Sequence, residues 1–229
     1  MRFLRCISLS LFAVVVLFPC MAQKHYESNV AIGGKAGVSL SRVMFSPTVP
    51  QTMYMGATAG FTFRYMEEKH FGLIAELNIV QGGWKETFKG TSYQFSHRLT
   101  YIQLPLLTHI YFGSYKVHWF FNAGPQIGYM ISDSKSSNFD VNNFSSLTDF
   151  PSTNRYTAQF TLPINSKFDY GISAGTGMEF IPKRNNSFLF EVRAYYGLGN
   201  VFSSHKKDVF SASSNFSATI TLGYLFRLK

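Results

Sequence analysis

Cysteine is almost missing from this sequence: Cys6 and Cys20 are the only two in 229 residues, and both lie near the N-terminus. If that stretch is removed, no thiol remains for a disulfide or a thiolate site, and stability must come from the fold itself. Charge is scarce too. Charged residues are 14% of the chain against 46% hydrophobic, which leaves little for an ordinary solvated surface. Past the N-terminus there is no apolar run of about eighteen residues, so helical membrane spans are excluded.

The N-terminus has the anatomy of an export signal. Arg2 and Arg5 precede the apolar run Ile7 to Phe18, and Cys20-Met21-Ala22 supplies small residues three and one positions before a cut ahead of Gln23. Residues 1–22 therefore read as a signal peptide and 23–229 as one mature domain. A lipid anchor on Cys20 is the competing reading, and Phe18-Pro19 is a poor lead-in for it. Losing Arg2 and Arg5 lowers the formal charge from +9 to +7. No nucleic-acid motif accompanies that charge, so no nucleic-acid partner is expected. Outer-membrane lipids and lipopolysaccharide, with their phosphates, are the expected anionic neighbours.

What is abundant is alternation. From Asn215 to Leu228 every second residue is apolar: Phe216, Ala218, Ile220, Leu222, Tyr224, Phe226 and Leu228. Fourteen residues exceed an ordinary strand of about six and suit a tilted membrane-crossing one. Seven further segments follow the same rule: Val30–Ser41, Tyr54–Tyr65, one from Phe71, Leu99–Phe112, Lys116–Tyr129, Phe168–Phe180 and Phe188–Leu198. In all eight the apolar face is free of charge, as a lipid-facing wall requires and a soluble barrel does not. The expected fold is an all-β, eight-stranded antiparallel transmembrane barrel of the outer-membrane type.

The opposite, inward face gathers the charges: Glu76, Asp169, Glu179 and Glu191 against Lys35, Lys116, Arg64, Arg193 and Arg227. Buried charges need partners or water, so an ionic network in the lumen is expected. Short links at 66–70, 113–115 and 181–187 alternate with long ones at 42–53, 85–98, 131–167 and 199–214. In outer-membrane barrels the short turns are periplasmic, which puts both termini there. Tyr65, Phe71, Phe112, Trp119, Phe180, Phe188 and Phe226 would then form the inner aromatic girdle. Pro105 and Pro125 fall inside strands and predict a bulge or bend.

Several segments resemble the PorT-type outer-membrane β-barrel family of Bacteroidota. They are Ile32-Gly33-Gly34-Lys35-Ala36-Gly37, Tyr101-Ile102-Gln103-Leu104-Pro105-Leu106-Leu107, Ala123-Gly124-Pro125-Gln126-Ile127-Gly128-Tyr129, the stretch Phe190 to Leu198, and Leu222 to Phe226. The resemblance implies an eight-stranded outer-membrane barrel and makes both prolines family features. Its name-giving member belongs to a protein secretion system, so envelope or secretion proteins are the partners it implies. Where such proteins carry Tyr-x-Glu-x-Pro this chain has Gln103, which removes one interior charge. Thr221, Gly223, Phe226 and Leu228 also resemble the signal read by the barrel-assembly machinery.

An eight-stranded barrel is just wide enough for side chains to fill, so a static plug is expected rather than a pore. For lipid-directed catalysis the candidates are Ser96-His97 and Ser203-Ser204-His205, neither with an acid at a telling spacing. For a metal they are His109 and His118, without a local carboxylate. A non-enzymatic protein without cofactor is the expectation. Segment 131–167, with Phe139, Phe144, Phe150, Tyr156 and Phe160, either folds over the mouth, extends the strands, or stays mobile. Lys85, Lys89, Arg98, Lys206 and Lys207 are candidates for lipopolysaccharide phosphates.

Overall fold

The computed structural model describes residues 28–228 apart from 89, 115, 144–146, 148–149, 151–155 and 184, so the expected leader lies outside the described residues. Eight antiparallel strands close into one ring: β1 Asn29–Ser46, β2 Thr52–Met66, β3 Phe71–Thr87, β4 Gln94–Gly113, β5 Val117–Ser137, β6 Phe168–Lys183, β7 Asn186–Gly197 and β8 Ala212–Arg227. The ring is sealed by β1 on β8, paired without a slip from Ala31↔Arg227 to Ser46↔Ala212.

Alternation decides the faces. On β8, Phe226, Tyr224, Leu222 and Ile220 point out while Leu225, Thr221 and Ser217 are buried. Two aromatic rings bound the apolar wall. Phe71, Phe112, Trp119, Phe180, Phe188 and Phe226 stand exposed at the short-turn end, and Tyr129, Phe168, Tyr170 and Tyr196 at the long-loop end. The ten-residue step from Phe216, paired with Tyr196, to Phe226 spans roughly 24 Å along the axis at about 3.4 Å per residue and about 45° of tilt. That matches the apolar band of an outer-membrane barrel.

The strands run on past the upper girdle. Two connections expected to be long, 42–53 and 85–98, are mostly strand: β1 continues to Ser46, β3 to Thr87, and β4 already begins at Gln94. Above the girdle an apolar outer face no longer profits from lipid, and the pattern inverts. Trp84, Phe95 and Leu99 turn inward and are fully buried, while Lys85, Ser96 and Arg98 take the outside.

No register shift falls at Pro105 or Pro125. Pro105 pairs with Gln126, beside Pro125; the rungs between 106–107 and 124–125 are missing, and the ladder resumes at Thr108↔Ala123 in unchanged register. A proline deletes one donor locally, and the β3–β4 ladder likewise skips the rungs between Ala75↔Leu106 and Asn78↔Gln103 beside Pro105, again in unchanged register. Gly124 lets β5 approach there, since a Cβ would strike the Leu106 carbonyl oxygen. The actual register shifts lie at Thr100/Tyr101, between Met53 and Thr58, and between Phe180 and Lys183.

Val192 lies outward midway between Phe188 and Tyr196. Val192→Arg should therefore cost about 2–4 kcal/mol of stability in bilayers, read by denaturant unfolding, with Val209→Arg at an exposed position of the connection before β8 near neutral. Equal losses from the two Val→Arg variants would contradict this placement of the lipid band.

Candidate functional site

The lumen is filled in layers. Nearest the short turns, Arg64 on β2 donates two parallel bonds across the bore to Glu179 on β6, Nη1 to Oε2 at 2.7 Å and Nη2 to Oε1 at 2.8 Å. His118 Nδ1 lies 3.8 Å from the same carboxylate. Phe120 is fully buried in this region, and room for its ring exists because Gly177 faces it without a Cβ.

The central layer joins β1, β3 and β7. Arg193 donates Nη1 to Glu76 Oε2 at 2.6 Å and Nη2 to Glu76 Oε1 at 2.9 Å; Nη2 also reaches Glu191 Oε1 at 2.7 Å. Lys35 Nζ bonds Glu76 Oε2 at 2.7 Å and approaches Glu191 Oε2 at 3.5 Å. Asn78 Nδ2 donates to Glu76 and Asn122 Nδ2 to Glu191, while Asn122 Oδ1 lies 2.7 Å from His109 Nδ1. Two cations thus meet two carboxylates. Such a cluster is neutral overall, and its amide donors occupy lone pairs the cations leave free, the condition on which buried charge is tolerable.

The layer directly above it holds one acid, Asp169, among amides and hydroxyls. Ser173 donates to Gln126 at 2.6 Å, and Asn215 donates to Asp169 at 2.8 Å and to the Tyr101 hydroxyl at 3.2 Å. Tyr195 also bonds Asp169.

The mouth is closed by an apolar core. Phe45, Trp84, Phe88, Phe95, Phe139, Phe150, Phe160, Phe202 and Phe210 pack together, drawn from three strands, the link between β3 and β4, and both long connections. Trp84 sits edge-on to Phe45 at 5.4 Å and close to His97 at 4.6 Å. The described residues of segment 138–167 therefore lie over the opening, with a short 3-10 turn at Ala158–Phe160 that buries Gln159 against Glu86. Lys135 clips this segment down by donating to the carbonyls of Phe160 and Leu162.

The sequence matches the profile of the outer membrane protein beta-barrel domain across residues 21–203. The chain belongs to that family. Residence in the outer membrane follows, and β8, beyond the matched range, completes the ring. No curated protein matches the sequence significantly. In fold this outer-membrane barrel is similar to the outer membrane protein OprG from Pseudomonas aeruginosa, at 12% identity, covering 89% of this chain and 97% of that one with a TM-score of 0.52. Neisserial surface protein A covers 88% and 99% at 12% identity, with a TM-score of 0.48.

Of the nine charged residues assigned to the lumen of this barrel, six are gathered: Lys35, Arg64, Glu76, Glu179, Glu191 and Arg193, three of each sign. The other three are not. Asp169 is held by Asn215 and tyrosines rather than a base; Lys116 is exposed in the turn before β5; and Arg227 is half-buried at the end of β8, without an ion pair among the described residues. Lys116 and Arg227 stand at strand ends, where water is nearer than any buried acid. Gln103 is half-buried opposite Asn78 and Gly128. Of the residues resembling an assembly signal, Thr221 is buried in the lumen, Gly223 is half-buried, and Phe226 and Leu228 are exposed.

The catalytic candidates are dispersed. Ser96 and His97 are on opposite faces of β4, and His97 instead meets Asp133, Nε2 to Oδ2 at 3.2 Å, an acid that the sequence spacing did not suggest. Ser203 donates to Asp208 at 2.6 Å, and the backbone N–H of His205 bonds the same oxygen. Those two bonds hold the exposed Asp208 carboxyl below its ordinary range and make the group a turn. His109 and His118 have separate partners, Asn122 and Glu179. Phe144 and Lys89 lie outside the described residues.

Proposed function

We propose that this protein is a closed, non-enzymatic outer-membrane barrel that works through contacts made by its outer surface, with its lumen serving as a structural plug. The observation that carries the reading is the double obstruction: cross-bore ion pairs in the bilayer half and a buried aromatic core over the mouth. Alternation of short turns at one end with long connections at the other supports placing the capped end outside and both ends of the chain in the periplasm. The motifs around Pro105 and Pro125 support a PorT-type affiliation, and with it a partner among envelope or secretion proteins. The terminal strand supports recognition by the barrel-assembly machinery.

The full-length protein in planar bilayers should pass no stepwise current at any holding potential. Regular conductance steps would defeat the plug. Solubilised mildly from its own membranes, the protein should co-purify repeatedly with the same envelope protein, and recovery as a solitary chain would remove the partner role. Lipid profiles with and without the gene should be identical, whereas a lost or modified lipid species would reinstate catalysis.

A further inference from the structure

The part of the wall that rises above the upper girdle has an outer face unlike the rest. On β3, β4 and β5 the outward rungs are Gln81–Thr100–Ser132, then Arg98–Ser134 opposite Gly83, then Lys85–Ser96–Ser136. Directly below them the same face carries Ile79 and Ile102. Hydroxyls and amides thus replace aliphatic chains within one rung, and the two charges present, Lys85 and Arg98, are both positive. The neighbouring acid, Asp133, is turned inward to His97, which leaves the outward rungs without a carboxylate among the described residues.

A cleft of about 610 Å3 opens beside this face where β2 stops, lined by Lys85, Ser96, Ser136 and Gln94 at one side and by Met53 and Met55 at the other. Met55 is 71% exposed. The end of β2 stays paired with β3 here, Thr52 with Lys85 and Met53 with Trp84, while the register shift leaves the stretch between Met53 and Thr58 without rungs to β3. Outward from the bilayer come the aliphatic Ile79–Ile102 rung, a rung of Gln81, Thr100 and Ser132, and then two rungs in which Arg98 and Lys85 stand among serines with Met53 beside them, an apolar-to-polar order that an amphiphile shares. A soluble polyanion would have no use for the methionines.

The geometry points to this face as the binding site for the phosphorylated sugar headgroup of an outer-leaflet glycolipid, with Lys85 and Arg98 on the phosphates and Ser96, Thr100, Ser134 and Ser136 on the sugars. It rests on the orientation proposed above, with the capped end outward. Of the five basic candidates in the sequence, it selects two. Lys206 and Lys207 lie in the separate connection 198–211 and are exposed away from these rungs.

The full chain is reconstituted in nanodiscs of phosphatidylcholine containing a minor fraction of bisphosphorylated lipid A, and retained lipid A is counted by native mass spectrometry. Lys85→Ser with Arg98→Ser should bind about thirtyfold more weakly, at about fivefold per cation near an anionic surface. Lys206→Ser with Lys207→Ser should bind as the parent does. The gel-mobility shift of the folded barrel checks that both variants are intact. Unchanged retention in the first variant, or equal retention of dephosphorylated lipid A by the parent, overturns the assignment. So does displacement of the lipid by inorganic pyrophosphate at matched concentration, which would make the ligand a soluble anion. None of these outcomes depends on conductance, so the site and the plug fail independently.

Discussion

Arg193→Met is expected to destabilise the barrel by about 3–5 kcal/mol, more than a typical substitution, because it leaves two carboxylates facing each other with one ammonium between them. Arg193 places its guanidinium on both Glu76 and Glu191, and Lys35 Nζ, 2.7 Å from the first and 3.5 Å from the second, cannot serve both equally. Removing one acid along with the cation should restore most of the loss. In Arg193→Met with Glu191→Gln, Lys35 and Glu76 remain as a balanced pair, and the carbonyl oxygen of the new side-chain amide can still accept from Asn122. Arg193→Lys keeps the charge but not the fork, and should fall between parent and Met variant. Urea unfolding in liposomes reads all three. A single Met variant as stable as the parent, or a double variant as poor as the single, would show that the pairs contribute little and that packing alone holds the wall.

Much of this arrangement is legible in the sequence because the bilayer imposes a simple code. Leu73, Ala75, Leu77 and Ile79 must face lipid, so Glu76 and Asn78 between them must face in, and the register of the whole strand follows. Which acid meets which base is not legible. Arg64 and Glu179 are 115 positions apart and meet only because β2 and β6 lie across the ring from one another. The upper wall hides for a different reason. At Val80–Gln81 the apolar set moves from odd to even positions, so that Val80, Trp84 and Phe88 are buried where Leu77 and Ile79 had been exposed. Read as a lipid-facing pattern, that change looks like the end of a strand. In space the strand continues unbroken, and the solvent outside it has changed from lipid to water. Phe139, Phe150 and Phe160 from 138–167 complete the same inverted core, which is why so polar a connection contains aromatics.

That inversion makes Trp84 the residue on which the cap depends. Its ring touches Phe45 from β1, Phe95 from β4 and Phe202 from the connection before β8, and its Nε1 donates to Glu86 Oε1 at 3.3 Å. Trp84→Ala removes a fully buried side chain in a place that strand backbones on both sides keep from collapsing, for which about 3–5 kcal/mol is expected. Because the lost contacts all lie above the girdle, the penalty should fall on the cap. At about 1.4 kcal/mol per tenfold, opening of segment 138–167 should become about a hundred- to a few thousandfold more frequent, and cleavage there by added protease should accelerate in proportion while reclosing outpaces cleavage. The membrane part of the wall should keep its gel-mobility shift. Trp119→Ala is the matched control, since that ring is exposed in the lower girdle and touches none of the cap. If protease cuts the Trp84 variant no faster than the control, segment 138–167 is held down by Lys135 and the Gln159–Glu86 pair instead, and the aromatic core follows the closure without causing it.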